Sequence, residues 1–305
     1  MPLDPRDHSS NCQGSRKFAM PQLDEKEIRT REVLDWKGLH LLHFSGSSCS
    51  QKTRIFLNLK GIPWESHPVN LPAQKNYSPW FLGINPRGLV PVLVHDGRVI
   101  IESNDILAYL EEIFPEPPLI PDGKMARATA LLREEDDLHL DIRTLTMRFL
   151  FPQFVVRKKP SSLKIFAEDE GEIDGRRDPH KEVEIRFWRE MAEHGITDAQ
   201  ATEAAGNFRR HLQGLEATLA EHRFLLGDTL SVVDIAWYIY VHRLLSGGYP
   251  MARLHPKVET WYQALHRKPE FSKEVREPAP LVWFRKGFHL VQKMRGATLP
   301  EVVGF

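Results

Sequence analysis

The sequence predicts an α+β chain: an amino-terminal α/β domain over residues 37–122, then an all-α helical domain over residues 123–290. Three observations carry this. Short apolar runs alternate with helical spacing up to residue 122. Asp96-Gly97 separates two strand-like runs, a strong hairpin signal. Beyond Pro121-Asp122-Gly123 strand signals fade and helical periodicity takes over.

Residues 1–36 are polar, charged and without periodicity, and are expected to form a flexible arm. Leu39 to Phe44 is strand-like in length and is broken by Ser45-Gly46-Ser47-Ser48. Residues 49–60 place Ile55, Phe56 and Leu59 at helical spacing, with Gly61 as the stop. Trp64 to Val69 forms a second strand, and a further helix falls near Tyr77–Leu82. Val90–Val94 and Arg98–Ile101 flank the hairpin turn, and a helix runs from Ser103 to about Phe114. One long helix is predicted over residues 125–150, closed by Pro152. Residues 153–195 are expected to hold a charged, solvated insertion, with Phe187, Trp188 and Met191 on a short helix. Thr197–Gln200 and Ser231–Asp234 are capping boxes that open two further helices. Pro256 suits the first turn of another, and residues 291–305 read as a tail.

Composition excludes several classes. Of 305 residues, 41 are Lys or Arg and 41 are Asp or Glu, so there is no general charge to attract nucleic acid or an anionic membrane. Hydrophobic content of 41% excludes a disordered chain. Two cysteines, Cys12 and Cys49, cannot make a disulfide-dense scaffold; both are read as reduced and the protein as cytoplasmic. No apolar run reaches the ~18 residues of a membrane span, and no signal-peptide pattern is present, so the Asn76 sequon is expected to be unused. The nucleotide-binding, zinc-protease and nucleophile-elbow motifs are absent. The histidines are scattered without convincing ligand spacing, and no metal is expected.

Three segments carry chemistry. Ser47, Ser48 and Cys49 stand where a strand ends and a helix begins. The unpaired N–H groups and dipole of a helix start favour a thiolate and lower the pKa of a cysteine placed there. A serine hydroxyl there donates to a bound sulfur anion; equally, a serine caps the helix and the cysteine packs. In the second segment Leu89 and Val90 precede Pro91, which opens a strand and is either cis or an ordinary edge-strand proline. In the third, Glu102 and Ser103 open a helix; the hydroxyl and N–H groups suit a carboxylate, and Glu102 suits an ammonium. A zwitterionic amino-acid end satisfies both, although a plain cap is the simpler account.

Taken together, Ser47-Ser48-Cys49-Ser50, Asn85 through Pro91, Glu102-Ser103 and the Leu226-Gly227-Asp228 to Asp234 stretch resemble one family. Residues 38–122 resemble the thioredoxin-like domain of a glutathione transferase, and residues 125–285 its helical second domain. The resemblance implies that Val90, ahead of a cis Pro91, pairs with the cysteinyl part of glutathione. It implies that Glu102 and Ser103 hold the γ-glutamyl end, and that Ser47 or Ser48 supports the glutathione thiolate. Asp234, with Ser231, then has a structural capping role. The run SSCS is similar to the zeta class, which includes maleylacetoacetate isomerases. The stretch SGSSCSQKTR and the insertion resemble the tetrachlorohydroquinone dehalogenase branch, in which a serine assists attack and a cysteine resolves a mixed disulfide with glutathione. The matching residues are Ser47 and Cys49. Leu89 departs from the polar residue common at its position, and Lys52, Arg54 or a residue of the second domain is considered as a substitute. The insertion is expected to leave the thiol site itself unaffected.

The resemblance implies an enzyme with glutathione as co-substrate, working as a homodimer on a small electrophile. That electrophile is placed between the domains against Phe44, Phe151, Trp237 and other side chains of residues 139–154, and also Trp283, with Arg148 or Arg157 meeting an anionic oxygen. Conjugation, thiol transfer or dehalogenation through Cys49, and cis–trans isomerisation all stay open. A non-catalytic ligand carrier or interaction module is the rival class.

Overall fold

The computed structural model describes residues 23–305. Cys12 and most of the expected arm lie outside the described residues. From Leu23 the chain is not loose: Leu23, Ile28 and Val33 are buried, and the Leu23 amide donates to the Val99 carbonyl at 3.1 Å. The arm therefore ends earlier than its polar composition suggests. These three buried apolar residues are too widely spaced to show periodicity, but they cover one face of the sheet.

That sheet holds β1 (Leu39–His43), β2 (Glu65–Pro68), β3 (Val92–His95) and β4 (Arg98–Ile100) in the order β2-β1-β3-β4. β1 and β2 are parallel, joined by α1 (Ser48–Lys60); the other pairs are antiparallel. The Asp96-Gly97 turn closes the last hairpin with both residues at positive φ, as the dipeptide predicts. Alternation divides the sheet residues between two cores. Leu41, Leu93 and Ile100 meet α1 and α3 (Ser103–Ile113). Leu42, Val92, Val94 and Val99 meet Phe81 of the short helix α2 (Pro79–Leu82), Ile84, and the amino-terminal segment.

The helical domain starts with two helices where one was expected: α4 (Met125–Asp137) and α5 (His139–Phe149). The break at Leu138, a buried residue, reorients the chain so that His139 begins α5. Periodicity does not reveal a break that keeps both flanking faces apolar.

The insertion is a folded unit, not a solvated one. It comprises α6 (Gln153–Val156), α7 (Pro160–Glu168), the hairpin β5 (Glu172–Ile173) and β6 (Arg176–Arg177), and α8 (His180–His194), which is longer than expected. Leu163, Phe166, Ile185, Trp188 and Met191 form a third core with Tyr77 and Leu82 of the α/β domain. The Tyr77 and Phe166 rings stack 4.7 Å apart. Arg29 pairs with Asp169 at 2.6 Å, and the Gly175 amide donates to Glu27 at 2.8 Å. The insertion and the amino-terminal segment thus hold each other against the sheet domain.

The remaining helices are α9 (Asp198–Glu221), α10 (Val232–Ser246), α11 (Met251–Leu254), α12 (Pro256–His266), α13 (Pro269–Ser272), α14 (Ala279–Met294) and α15 (Leu299–Val303). α10 is apolar all round and lies at the centre of the domain, as such a helix must. Asp234 accepts from the Ser231 amide and hydroxyl, the Leu225 amide and the Trp261 indole, a structural set as expected. The expected carboxy-terminal tail is instead folded, with Leu299 buried and Phe305 edge-on to Tyr249. Among the described residues, no helix is long and apolar enough to cross a membrane.

Candidate functional site

Ser47, Ser48 and Cys49 come together at the start of α1, where β1 delivers the chain. Ser47 is the N-cap: its hydroxyl oxygen accepts from the Ser50 amide at 3.3 Å. The Ser47 hydroxyl also faces the Val90 carbonyl at 3.5 Å, a long contact that leaves its proton free to turn. Val90-Pro91 is a cis peptide, and Val90 lies beside the α1 amino terminus. Ser48, half-buried in the first turn, makes no side-chain hydrogen bond among the described residues.

Cys49 is half-buried and unpaired, and its sulfur faces His139 Nδ1 at 3.8 Å. Burial pushes the thiol up, but His139 and the nearby Lys52 more than offset this and hold it below its ordinary value. The tautomer of His139 follows from its other nitrogen. Arg143 Nη2 lies 3.2 Å from Nε2, and a guanidinium only donates, so the imidazole proton sits on Nδ1. It points between Cys49 and the Tyr240 hydroxyl, 3.1 Å away. Arg143 in turn is paired with Glu184 of α8, which also accepts from the Trp188 indole at 3.2 Å. The thiol is therefore connected, through His139 and Arg143, to a carboxylate of the insertion. The expectation that the insertion leaves the thiol site unaffected is incorrect.

Glu102 and Ser103 lie at the start of α3, with Glu102 at φ 65°. Glu102 is paired with Arg87, and Arg87 also with Asp178 of the insertion. Ser103 is buried and its hydroxyl has no protein partner among the described residues. Asp105, one turn into the same helix, is pushed up to about 7 by burial and by Glu102 and Asp136. Negative charge thus accumulates here, and the nearby Arg87 and Lys52 offset it only in part.

Lys52 and Arg54 do not substitute for the half-buried Leu89. Lys52 is buried and bound to Glu135 at 2.9 Å and Asn104 at 2.7 Å. Arg54 is bound to Glu274 at 2.5 Å and to the Phe44 and Ser45 carbonyls. Both join elements of the fold.

Several pocket residues expected from sequence stand elsewhere. Trp237 is fully buried and donates to the Leu131 carbonyl at 3.2 Å, so it is core. Arg148 donates to the Ile196 carbonyl and pairs with Asp198, which ties α5 to the start of α9. Phe151 packs on the main core and Phe44 on the second sheet face. Arg157 is exposed and Trp283 is 72% exposed on α14. Sequence reasoning missed His139, Arg143, Glu184 and Lys158. Lys158 lies over the Trp188 ring at 4.5 Å and the Tyr77 ring at 5.6 Å, with no ion pair among the described residues. Burial pulls it down to about 8. None of these residues has a local motif: His139 and Arg143 come from α5, Glu184 from α8 and Lys158 from the segment between α6 and α7.

Comparison with known proteins bears on this arrangement. The model for the glutathione S-transferase N-terminal domain matches residues 46–113, and that for the C-terminal domain matches residues 198–264. A zeta-class glutathione S-transferase of Euphorbia esula is 51% identical over 83 residues, 27% of this chain and 37% of that protein. The maleylacetoacetate isomerase of Pseudomonas aeruginosa is 39% identical over 93 residues, 30% of this chain and 44% of that protein. The chain thus spans about two fifths of the length of the first curated relatives it matches. Protein LigF of Sphingobium sp. is 28% identical over 251 residues, 78% of this chain and 95% of that protein. The crystal structure of the beta-etherase LigF superposes with a TM-score of 0.66 at 24% identity, covering 77% of this chain and 98% of that one. The two matched domains bracket the insertion, and the first begins at the turn that carries Ser47 to Cys49. Both the N-terminal and the C-terminal glutathione S-transferase family models are thus matched in this chain, and its fold is the glutathione S-transferase fold.

Proposed function

We propose that the protein is a glutathione-dependent transferase that directs the glutathione thiolate at an aromatic electrophile carrying an anionic or phenolic oxygen. Glutathione is its co-substrate. Ser47 supports the thiolate by donating its hydroxyl proton at the α1 amino terminus, where backbone N–H groups add to the stabilisation. Val90 pairs with the cysteinyl backbone. Ser103 takes the γ-glutamyl carboxylate, and the surplus negative charge of Glu102 and Asp105 takes its ammonium. The electrophile lies between the domains, with Lys158 toward its oxygen.

The observation that carries the reading further is the Cys49–His139 pair. It favours thiol transfer through Cys49 as the continuation of the reaction. Glutathione thiolate first displaces a leaving group from carbon, giving a thioether. The Cys49 thiolate then attacks the glutathionyl sulfur, and the carbon fragment leaves with the bonding pair and takes up a proton. A second glutathione thiolate attacks the Cys49–glutathione disulfide and frees Cys49 as glutathione disulfide leaves. The organic substrate is reduced by two electrons and two glutathiones are oxidised.

Calorimetric titration of glutathione into the wild type and Cys49→Ser, with mass spectrometry after exposure to glutathione disulfide, tests both parts. The expected result is binding by both proteins and a glutathione adduct that vanishes in Cys49→Ser. Binding without an adduct leaves conjugation alone. No binding to either protein sinks the enzyme reading in favour of a carrier or interaction module. Ser47→Ala is expected to lower conjugation by about 100-fold, the usual scale for removing one preorganised donor.

A further inference from the structure

We propose that His40, His67 and Glu65 form a binding site for a first-row divalent metal ion of the zinc type, at the outer edge of the sheet and apart from the glutathione site. His40 is the second residue of β1, while the α1 amino terminus follows that strand's other end. β2 pairs in parallel with β1, setting Glu65 opposite His40 and His67 opposite Leu42. Residues two apart on a strand share a face, so all three side chains converge on one side of the sheet.

The lone pairs converge too. His40 Nε2 lies 2.8 Å from the Lys37 carbonyl, which only accepts, so the His40 proton is on Nε2 and Nδ1 presents its lone pair. His40 Nδ1 is 3.0 Å from His67 Nε2 and 3.5 Å from Glu65 Oε2, and His67 Nε2 is 3.4 Å from Glu65 Oε1. One proton, on His67 Nε2, serves two acceptors at close range, His40 Nδ1 and Glu65 Oε1. A tetrahedral ion with bonds of about 2.0–2.1 Å holds its ligand atoms about 3.3 Å apart. The His40–His67 separation is slightly shorter than that edge and each histidine has a different Glu65 oxygen slightly beyond it, so a turn of the exposed Glu65 carboxylate closes the set on an ion.

The surroundings are those of a supported site. The carbonyl of Lys37 orients His40 as outer partners orient metal-bound imidazoles. The Trp36 ring stacks on His67 at 4.4 Å and 15° and limits its rotation. His40 is buried, whereas Glu65 is exposed, which leaves the fourth position to water. Binding would displace the proton on His67 Nε2 and pin β2, the edge strand, to β1 and to the Trp36 segment.

Cobalt(II) is the probe, titrated into the full chain and followed by visible absorption. One equivalent is expected to give the intense d–d bands of a four-coordinate ion without thiolate charge-transfer bands, which excludes Cys12 and Cys49 as ligands. His67→Ala should abolish the signal and Glu65→Gln should weaken it, while glutathione binding stays at its wild-type level in both. Zinc should displace the cobalt and raise the melting temperature of the wild type but not of His67→Ala. His67 is only half-buried, so its variant is expected to fold, and circular dichroism checks that. Weak six-coordinate absorption, no binding, or an undiminished signal in His67→Ala would overturn the site and leave a hydrogen-bonded histidine pair.

Discussion

The two walls of structure around Cys49 differ in what determines them. The wall formed by the α1 start, Val90-Pro91 and the α3 start is specified locally. Ser47 caps because serine suits a helix start, and Gly61 stops α1 in the left-handed region because only glycine takes it without strain. The opposite wall, made by α5 and α8, is specified by packing over long sequence separations. His139 reaches Cys49 only because α4 and α5 break at Leu138, and Glu184 reaches Arg143 only because Phe166 seats the insertion on Tyr77. Chemistry at the thiol depends on both walls, so a change in either should be felt there, with a different signature.

The largest effect is expected for Phe166→Ala. This side chain is fully buried in the core shared by the insertion and the α/β domain. Truncation should cost about 3–5 kcal/mol, read by chemical denaturation, and should raise protease sensitivity within residues 153–195 first. Equal loss of protection across the whole chain would mean that the insertion is not a separable layer. Glu184→Gln should follow at about 3 kcal/mol, because it leaves the buried Arg143 charge without its counter-ion.

How much of this was legible follows the same division. The strand and helix order of residues 38–114, both capping boxes and the hairpin turn are written in short motifs, and they appear where the motifs put them. The residues proposed to face glutathione come with those motifs. Arg148 and Trp237 were misplaced because a helical arginine or tryptophan carries no local mark of which way it faces; Asp198 claims the first and the α4 carbonyl at Leu131 the second. The insertion looked solvated because its charges are dense. Those charges pair inward instead: Asp169 with Arg29 and Lys181, Asp178 with Arg87, Glu184 with Arg143. A charge run whose outside partners lie 41 to 140 residues away cannot be told from a solvated one by composition.

Smaller effects separate the walls at the thiol itself. His139→Ala removes the donor that favours the Cys49 thiolate. A hydrogen bond to a charged group contributes about 1.5–3 kcal/mol, so alkylation of Cys49 at neutral pH should slow by about tenfold or more. Its pH midpoint should move up. Glu184→Gln should move it the other way, because Arg143 is then no longer neutralised and its positive charge favours the thiolate. Shifts of the same sign in both variants would break the proposed connection through Arg143.

The subtlest test concerns the α3 start. Asp105 holds its proton up to about pH 7 because Glu102 and Asp136 already supply negative charge and burial adds to the cost of more. A bound ammonium relieves that cost, so binding and deprotonation of Asp105 are linked. The sign follows directly: below pH 7 the carboxyl is neutral and attracts an ammonium weakly, and above it the carboxylate is present. Glutathione affinity should therefore rise severalfold between pH 6 and 8, about 1 kcal/mol. S-methylglutathione is the better probe, since its blocked sulfur removes the thiol's own titration from the profile. Asp105→Asn should flatten the curve near the low-pH level. A wild-type profile that is already flat would place the ammonium away from Asp105 and leave Glu102 as its sole carboxylate on this helix start. A rise that persists in Asp105→Asn would assign the titration to Asp136, whose carboxyl is raised for the same reasons of burial and neighbouring charge.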